Sequence, residues 1–214
     1  MAGRKDRIVE TEEREDLEVP YPQYRCPICG KDLPLNDARM TVTCAEHLPR
    51  KEAPGFTVRR ATAGDRREIE EICDQALGET DVDVFGRTFD VLIGINLVAE
   101  SEGRLAGLLS LAVHAGELAV VLLSVYPAYQ GRGVGSSLVA AAVAYAEEKG
   151  LPGVVVAVTN DDIPQLYFYQ RHGFRIYGCA VGQLVLEDGS TPGGFSDIPV
   201  RDEIRMRRSI SPRR

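Results

Sequence analysis

The stretch VYPAYQGRGVGSSL, residues Val125 to Leu138, places the tightest local constraint on the chain. It follows the apolar run ELAVVLLSV and precedes an alanine-rich stretch of strong helix formers that closes at Lys149-Gly150. A buried strand must therefore become a helix within a few residues. Pro127 cannot donate to a strand ladder and ends the strand. Gly131, Gly133 and Gly135 then stand at every second position. Such a turn presents backbone N–H groups that, with the first turn of a helix over Ser136 to Glu148, form an anion nest aided by the helix macrodipole. Glycine also lets a pyrophosphate approach where a Cβ would keep it away. The spacing is one residue short of the dinucleotide pattern, and no Lys-Ser/Thr follows as in a P-loop, so both common nucleotide readings weaken. Arg132 adds charge-assisted hydrogen bonds, and Ser136 and Ser137 add hydroxyl donors.

Around this turn the chain alternates strands and helices. FTVRRA from Phe56 reads as a strand, and Asp65 as the cap of a helix running to about Leu77, with Ile69, Ile72, Cys73 and Leu77 on one face. INLVAES, EGR and LAGLLSLAVH read as a hairpin with a polar turn, and GVVVAVT as a β-branched central strand. A helix over Asp162 to His172 is entered through Pro164 and closed by Gly173. FRIYGCAVGQLVL continues as strand, GSTPGGFSD as a loop, and IPVRDEIRMR alternates Ile204 and Met206 against Arg205 and Arg207 as a last half-buried strand.

Two motifs in this order resemble the GNAT superfamily of acetyl-CoA-dependent N-acetyltransferases. Gln130 to Gly135, QGRGVG, matches its Q/R-x-x-G-x-G/A signature and is preceded by the V-x-P-x-x sequence typical of it. Asn160 to Phe174, NDDIPQLYFYQRHGF, looks like its second signature: an Asn at a strand end, a helix, then Tyr-x-x-x-Gly-Phe. The resemblance covers residues 56–208. It implies an α/β (α+β) fold with a mixed, strongly twisted central sheet, a V-shaped splay between the strand before Pro127 and the strand Val154 to Thr159, and flanking helices. It implies that the pantetheine arm of acetyl-CoA pairs with the backbone of Leu123 to Val125. The pyrophosphate then rests on Gln130, Gly131, Arg132, Gly133, Gly135 and Ser136, and Asn160 bonds the arm.

Amide formation from a thioester needs a neutral amine, a polarised carbonyl and a proton for the leaving thiolate. Tyr167 and Tyr169 are rivals for the last task. They lie about 200° apart on a helix, so only one reaches the sulfur. Periodicity does not separate them, and the resemblance favours Tyr169. Related enzymes often carry a Glu on the strand that ends at the glycine loop. The matching position here is Ala119, the nearest carboxylate on that face is Glu117, and His114 is a further candidate base. Eight carboxylates between Asp65 and Asp83 against Arg66 and Arg67 form a solvated helix face or steer a protonated amine. The acceptor is then a small-molecule or protein amine, such as a lysine, an N-terminus or a polyamine.

Of 214 residues, 44% are hydrophobic and the net charge is −7, which suits one catalytic-size domain and argues against nucleic acid as main partner. No apolar segment approaches the roughly eighteen residues of a membrane span, and a charged N-terminus lacking a signal-peptide centre points to the cytoplasm. Cys26-x2-Cys29 followed by Cys44-x2-His47 gives two ligand pairs at zinc-knuckle spacing, with four ligands and therefore a structural role, and the segment resembles a zinc ribbon or treble-clef-like module in outline. A segment that short folds only with its metal. Cys73 and Cys179 read as plain core. The organisation expected is a charged tail over residues 1–20, a zinc-binding module over 21–50, a linker over 51–55, the GNAT-like domain over 56–208 and a tail over 209–214. A homodimer is left open. The competing class is a regulatory protein that senses acetyl-CoA without turnover while the zinc module recognises a partner.

Overall fold

The structure is a computed structural model and describes residues 55–194 and 197–210. The proposed zinc ligands Cys26, Cys29, Cys44 and His47 lie outside the described residues. The elements run β1 (Thr57–Arg60), α1 (Arg66–Leu77), β2 (Asp81–Val84), β3 (Arg87–Asp90), β4 (Ile95–Ser101), β5 (Arg104–His114), β6 (Glu117–Val125), α2 (Val134–Glu148), β7 (Gly153–Thr159), α3 (Ile163–Arg171), β8 (Arg175–Ala180) and β9 (Glu203–Ser209). Seven strands form one sheet in the order β1-β4-β5-β6-β7-β9-β8, and β2 and β3 form a separate hairpin. Among the described residues, only β6 and β7 pair in parallel, as the crossover through α2 requires.

Alternation decides which layer each strand residue joins. Leu118, Val120, Val154, Val156 and Met206 face α2 and α3 and pack with Leu138, Val139, Ala142, Tyr169 and Phe174 into the main core. Val98, Leu108 and Val121 face the other way, onto Ile69, Ile72 and Cys73 of α1. Each fully buried aliphatic side chain of this kind contributes about 1.5–3 kcal/mol.

Several sequence expectations are corrected. Helix α2 starts at Val134, two residues before Ser136, because Gly133 adopts a left-handed conformation (φ 86°) and itself serves as the N-cap. Leu77 is 47% exposed, so the buried face of α1 stops at Cys73. The strand expected from Phe174 onward is β8, which begins at Arg175 and ends at Ala180, and the described residues from there to Asp202 form turns, loop and one isolated bridge between Gly193 and Pro199. Cys73 is core, but Cys179 is exposed on the edge strand β8. Asp65 is the N-cap of α1, yet its carboxylate makes no cap bond into the helix. It takes two hydrogen bonds from Arg59, at 2.8 and 2.7 Å, and others from the backbone and hydroxyl of Thr62. The Arg59 guanidinium therefore holds Asp65 well below the usual carboxylate range.

Candidate active site

Strands β6 and β7 pair only over Leu118–Val120 and Val154–Val156. Between β5 and β6 the register shifts, so that Ser110 faces Leu122 while Leu111 faces Val120, and Val121 is an extra residue. A bulge bends its strand and raises the local twist. The bend falls where β6 leaves β7. Beyond it, Leu122 to Val125 remain paired to Ser110–Gly107 of β5, and Ala157 to Thr159 to Arg205–Glu203 of β9. Each arm is thus anchored on its outer side, and the inner edges of Leu123 to Val125 and of β7 face a gap.

From Val125 the chain enters a short 3-10 turn over Pro127–Tyr129 and the glycine turn. The three glycines serve different needs. Gly131 (φ 73°) and Gly133 (φ 86°) hold left-handed backbone in open space, while a Cβ on Gly135 would stand 3.4 Å from the Phe168 ring of α3. Helix α2 has no side-chain cap, so the N–H groups of its first turn, at Val134, Gly135 and Ser136, are free of capping partners. Arg132 extends over the ring of Tyr129, 5.8 Å from its centroid. The Gln130 amide is turned inward, donating to the Val125 carbonyl at 2.9 Å, where it ties the turn to the end of β6.

The two tyrosines part as helical spacing predicts. Tyr167 is half-buried and its hydroxyl accepts from Arg171 at 2.7 Å. Tyr169 is 1% exposed and packs edge-on against Phe168 and Phe174 in the core. Burial pushes its phenol well above the ordinary value, so it stays protonated at any working pH. Burial thus keeps the phenol neutral and makes it a weaker acid than a free tyrosine.

Asn160 bonds the segment before β9. Its amide donates to the Pro199 carbonyl at 3.0 Å, and its oxygen accepts from the N–H groups of Arg201 and Asp202 at 2.8 and 2.9 Å. With both lone pairs engaged, it holds the loop before β9 against the end of β7. Glu117 sits at the paired end of β6 and accepts from Arg207 at 2.5 Å. Its cross-strand neighbour His114 stacks on Phe85 at 5.1 Å. Neither is brought to the gap. Most of the carboxylates that were to steer an amine are engaged as well. Glu68 accepts from the Leu105 N–H, Glu70 and Glu71 pair with Arg66 and Arg67, and Asp83 accepts from Thr88.

Two features escaped the sequence. The β2–β3 hairpin turns at Phe85 (φ 56°) and Gly86 (φ 69°), and a bulky residue in that region is strained. Its tip is docked by a hydrogen bond of 2.8 Å from the Phe85 N–H to Glu203, a carboxylate only 3% exposed that also pairs with Arg205 at 2.7 Å. The alternation DVDV-FG-RTFD was the available signal for the hairpin. No pattern announced Glu203, because its partners come from distant parts of the chain.

A sequence profile of the Acetyltransferase (GNAT) family matches residues 66–174. The chain belongs to that family. A mycothiol acetyltransferase of Clavibacter michiganensis subsp. michiganensis is 39% identical over 79 residues, 37% of this chain and 26% of its own. A streptothricin acetyltransferase of Streptomyces lavendulae is 33% identical over 107 residues, 49% of this chain and 51% of its own. The chain thus spans a quarter to half the length of these relatives. A GNAT family acetyltransferase from Elizabethkingia anophelis, solved with acetyl-CoA bound, superposes with a TM-score of 0.56 over 72% of this chain and 98% of its own at 21% identity. That likeness establishes the shared GNAT fold. No helix among the described residues is long and apolar enough to cross a membrane.

Proposed function

We propose that the chain transfers acetyl from acetyl-CoA to a primary amine held in the same ternary complex. The observation that carries this is the parting of β6 and β7 after Val120, continued along the chain into an uncapped helix N-terminus behind Gly131 and Gly133. In this reading the pantetheine arm pairs with the free edge of Leu123 to Val125. The pyrophosphate takes the N–H groups of Gln130 to Ser136, with Arg132 alongside. The amine nitrogen attacks the thioester carbonyl, the C–N bond forms as the C–S bond breaks, and Tyr169 gives its proton to the departing thiolate. Glu117 lies three residues, about 10 Å, before the parting and takes the proton lost by the amine only through intervening water. Relatives named for mycothiol and streptothricin favour a small-molecule acceptor over a protein lysine.

We further propose that residues 21–50 hold a structural zinc through Cys26, Cys29, Cys44 and His47, a donor set of three thiolates and one imidazole that suits a closed tetrahedral site. Residues 56–208 are then the catalytic domain, joined through 51–55. Calorimetric titration with acetyl-CoA, combined with thiol release in the presence of an amine panel, tests the main reading. Tight binding without turnover on any amine would instead favour a sensor of acetyl-CoA. Freshly purified protein is expected to carry one equivalent of zinc by elemental analysis, and none would remove the module.

A further inference from the structure

Two arginines of the sheet, Arg59 and Arg205, make the same first contact and differ in the second. Arg59 donates through Nε to Glu100 at 2.7 Å, and its Nη1 and Nη2 form a fork on the two oxygens of Asp65, at 2.8 and 2.7 Å. Arg205 donates through Nε to Glu203 at 2.7 Å, and among the described residues neither its Nη1 nor its Nη2 has a hydrogen-bond partner. The two side chains are similarly exposed, 35% and 31%. The unused end of Arg205 is also held in place. Glu203 is fixed by the Phe85 N–H, and the guanidinium lies over the Phe85 ring, 5.7 Å from its centroid. A planar guanidinium pinned at Nε and seated on a ring offers its remaining edge as a preorganised fork, the geometry that matches a carboxylate.

The fork also stands beside the gap. Arg205 is paired with Ala157, the first residue of β7 beyond the pairing with β6, and it alternates with Met206, which faces Tyr169 in the main core. Phe85 packs on Ala119 and Val155, a rung of the β6–β7 pairing, and on Ala157. To lie over that ring the Arg205 side chain leans back across β7 toward β6. Its free edge therefore flanks the closed end of the gap, on the face of the sheet opposite Tyr169.

We propose that Arg205 determines acceptor specificity by binding a carboxylate, so that the substrate is a small amino acid carrying both the attacking nitrogen and a free carboxylate. The pair of bonds from Arg59 to Asp65 shows, in the same molecule, that a guanidinium already bonded through Nε takes a second carboxylate on its Nη1–Nη2 edge. A protein lysine or a polyamine brings no carboxylate near its nitrogen and would leave the fork to water. The inference rests on the acetyl-transfer reading for its chemistry and on Arg205 alone for its location.

The test uses the full chain and acids of increasing separation between amine and carboxylate: L-leucine, β-alanine, 4-aminobutyrate and 6-aminohexanoate, each set against its own amide. The amide keeps the amine and the chain length and removes the negative charge. At least one acid is expected to exceed its amide by about tenfold or more in kcat/KM referred to the neutral amine, the worth of one hydrogen bond to a charged group. Arg205→Lys keeps a cation beside Glu203 and loses the fork. It should lower kcat/KM for that acid by about tenfold and for the amide far less, with acetyl-CoA affinity by calorimetry reporting an intact fold. Arg205→Gln should act in the same direction, and where it fails to fold the lysine variant carries the test. Amides used as well as their acids throughout, a preference that survives Arg205→Lys, or a lysine peptide or spermidine used better than every acid would each overturn the proposal and leave acetyl transfer standing. If no amine is acetylated, the transfer reading fails, and saturation-transfer NMR of the acids with coenzyme A present judges the site by itself. Binding that Arg205→Lys abolishes keeps the carboxylate site, and no binding, or binding the variant leaves intact, discards it.

Discussion

On the side of the sheet covered by α2 and α3, one apolar cluster runs without a break from Leu97 to Met206. On the side covered by α1 and the β2–β3 hairpin, burial is split between the group around Ile72 and Leu108 and a small one around Phe85, Ala119 and Val155. The second side also holds a cavity between β3 and β5, buried oxygens of Ser110 and Asn96 without a hydrogen-bond partner among the described residues, the strained Phe85 and the buried ion pairs of Glu203 and Asp65. The first side is packed for stability. The second carries polar groups and local strain that a chain selected for stability alone would have replaced with aliphatic side chains.

That contrast can be broken first at its strong side. Leu138, fully buried under the sheet, should cost about 3 kcal/mol when changed to alanine, read as a lower urea midpoint, and the loss should exceed that of any single substitution at the cavity wall. Tyr169→Phe probes a hydroxyl buried within the strong side. It should lower kcat on the order of 100-fold in a thiol-release assay, with acetyl-CoA affinity and the urea midpoint little changed. Unchanged turnover would return Tyr169 to the core as packing alone.

On the other side, Asp65→Asn should destabilise the protein by about 2 kcal/mol at neutral pH, since it disrupts charge-assisted bonds. The carboxylate of Asp65 is lowered in the folded state. Its contribution is therefore complete above the unfolded value near pH 4 and declines as the pH falls below it. Urea midpoints taken from pH 7 to pH 3 should accordingly converge for the wild type and the variant. The smallest effect is expected at the glycine turn. Gly133→Ala meets no neighbouring atom but sits at φ 86°, and should cost about 1 kcal/mol by chemical denaturation. Any weakening of acetyl-CoA beyond that, read by calorimetry, measures how closely the cofactor approaches the turn.

The main core was legible in the sequence because its strands and helices are periodic. INLVAES and LAGLLSLAVH became β4 and β5, joined at Glu102-Gly103, both with positive φ, and Met206 and Arg207 fall on opposite faces of β9 as alternation requires. The parting of β6 and β7 was legible only through the family resemblance, since nothing in ELAVVLLSV marks where pairing stops. The partners of individual polar groups were not legible at all. Asn160 bonds residues some forty positions away, and Glu203 meets a backbone N–H 118 positions away. Such meetings depend on the whole topology, and no local pattern carries them. Of the eight carboxylates from Asp65 to Asp83, five have partners within the fold that the charge density alone did not specify.

The extra residue at Val121 gives β6 two frames within nine residues. Before it, the even-numbered side chains Leu118 and Val120 point toward α2, and after it the odd-numbered Leu123 and Val125 do. VVLL therefore looks like featureless apolar sequence while encoding a change of phase. Removing one residue there is expected to restore a single frame along β6 against β5. The parting of the two central strands thus coincides with an inserted residue, a feature of count and not of chemistry.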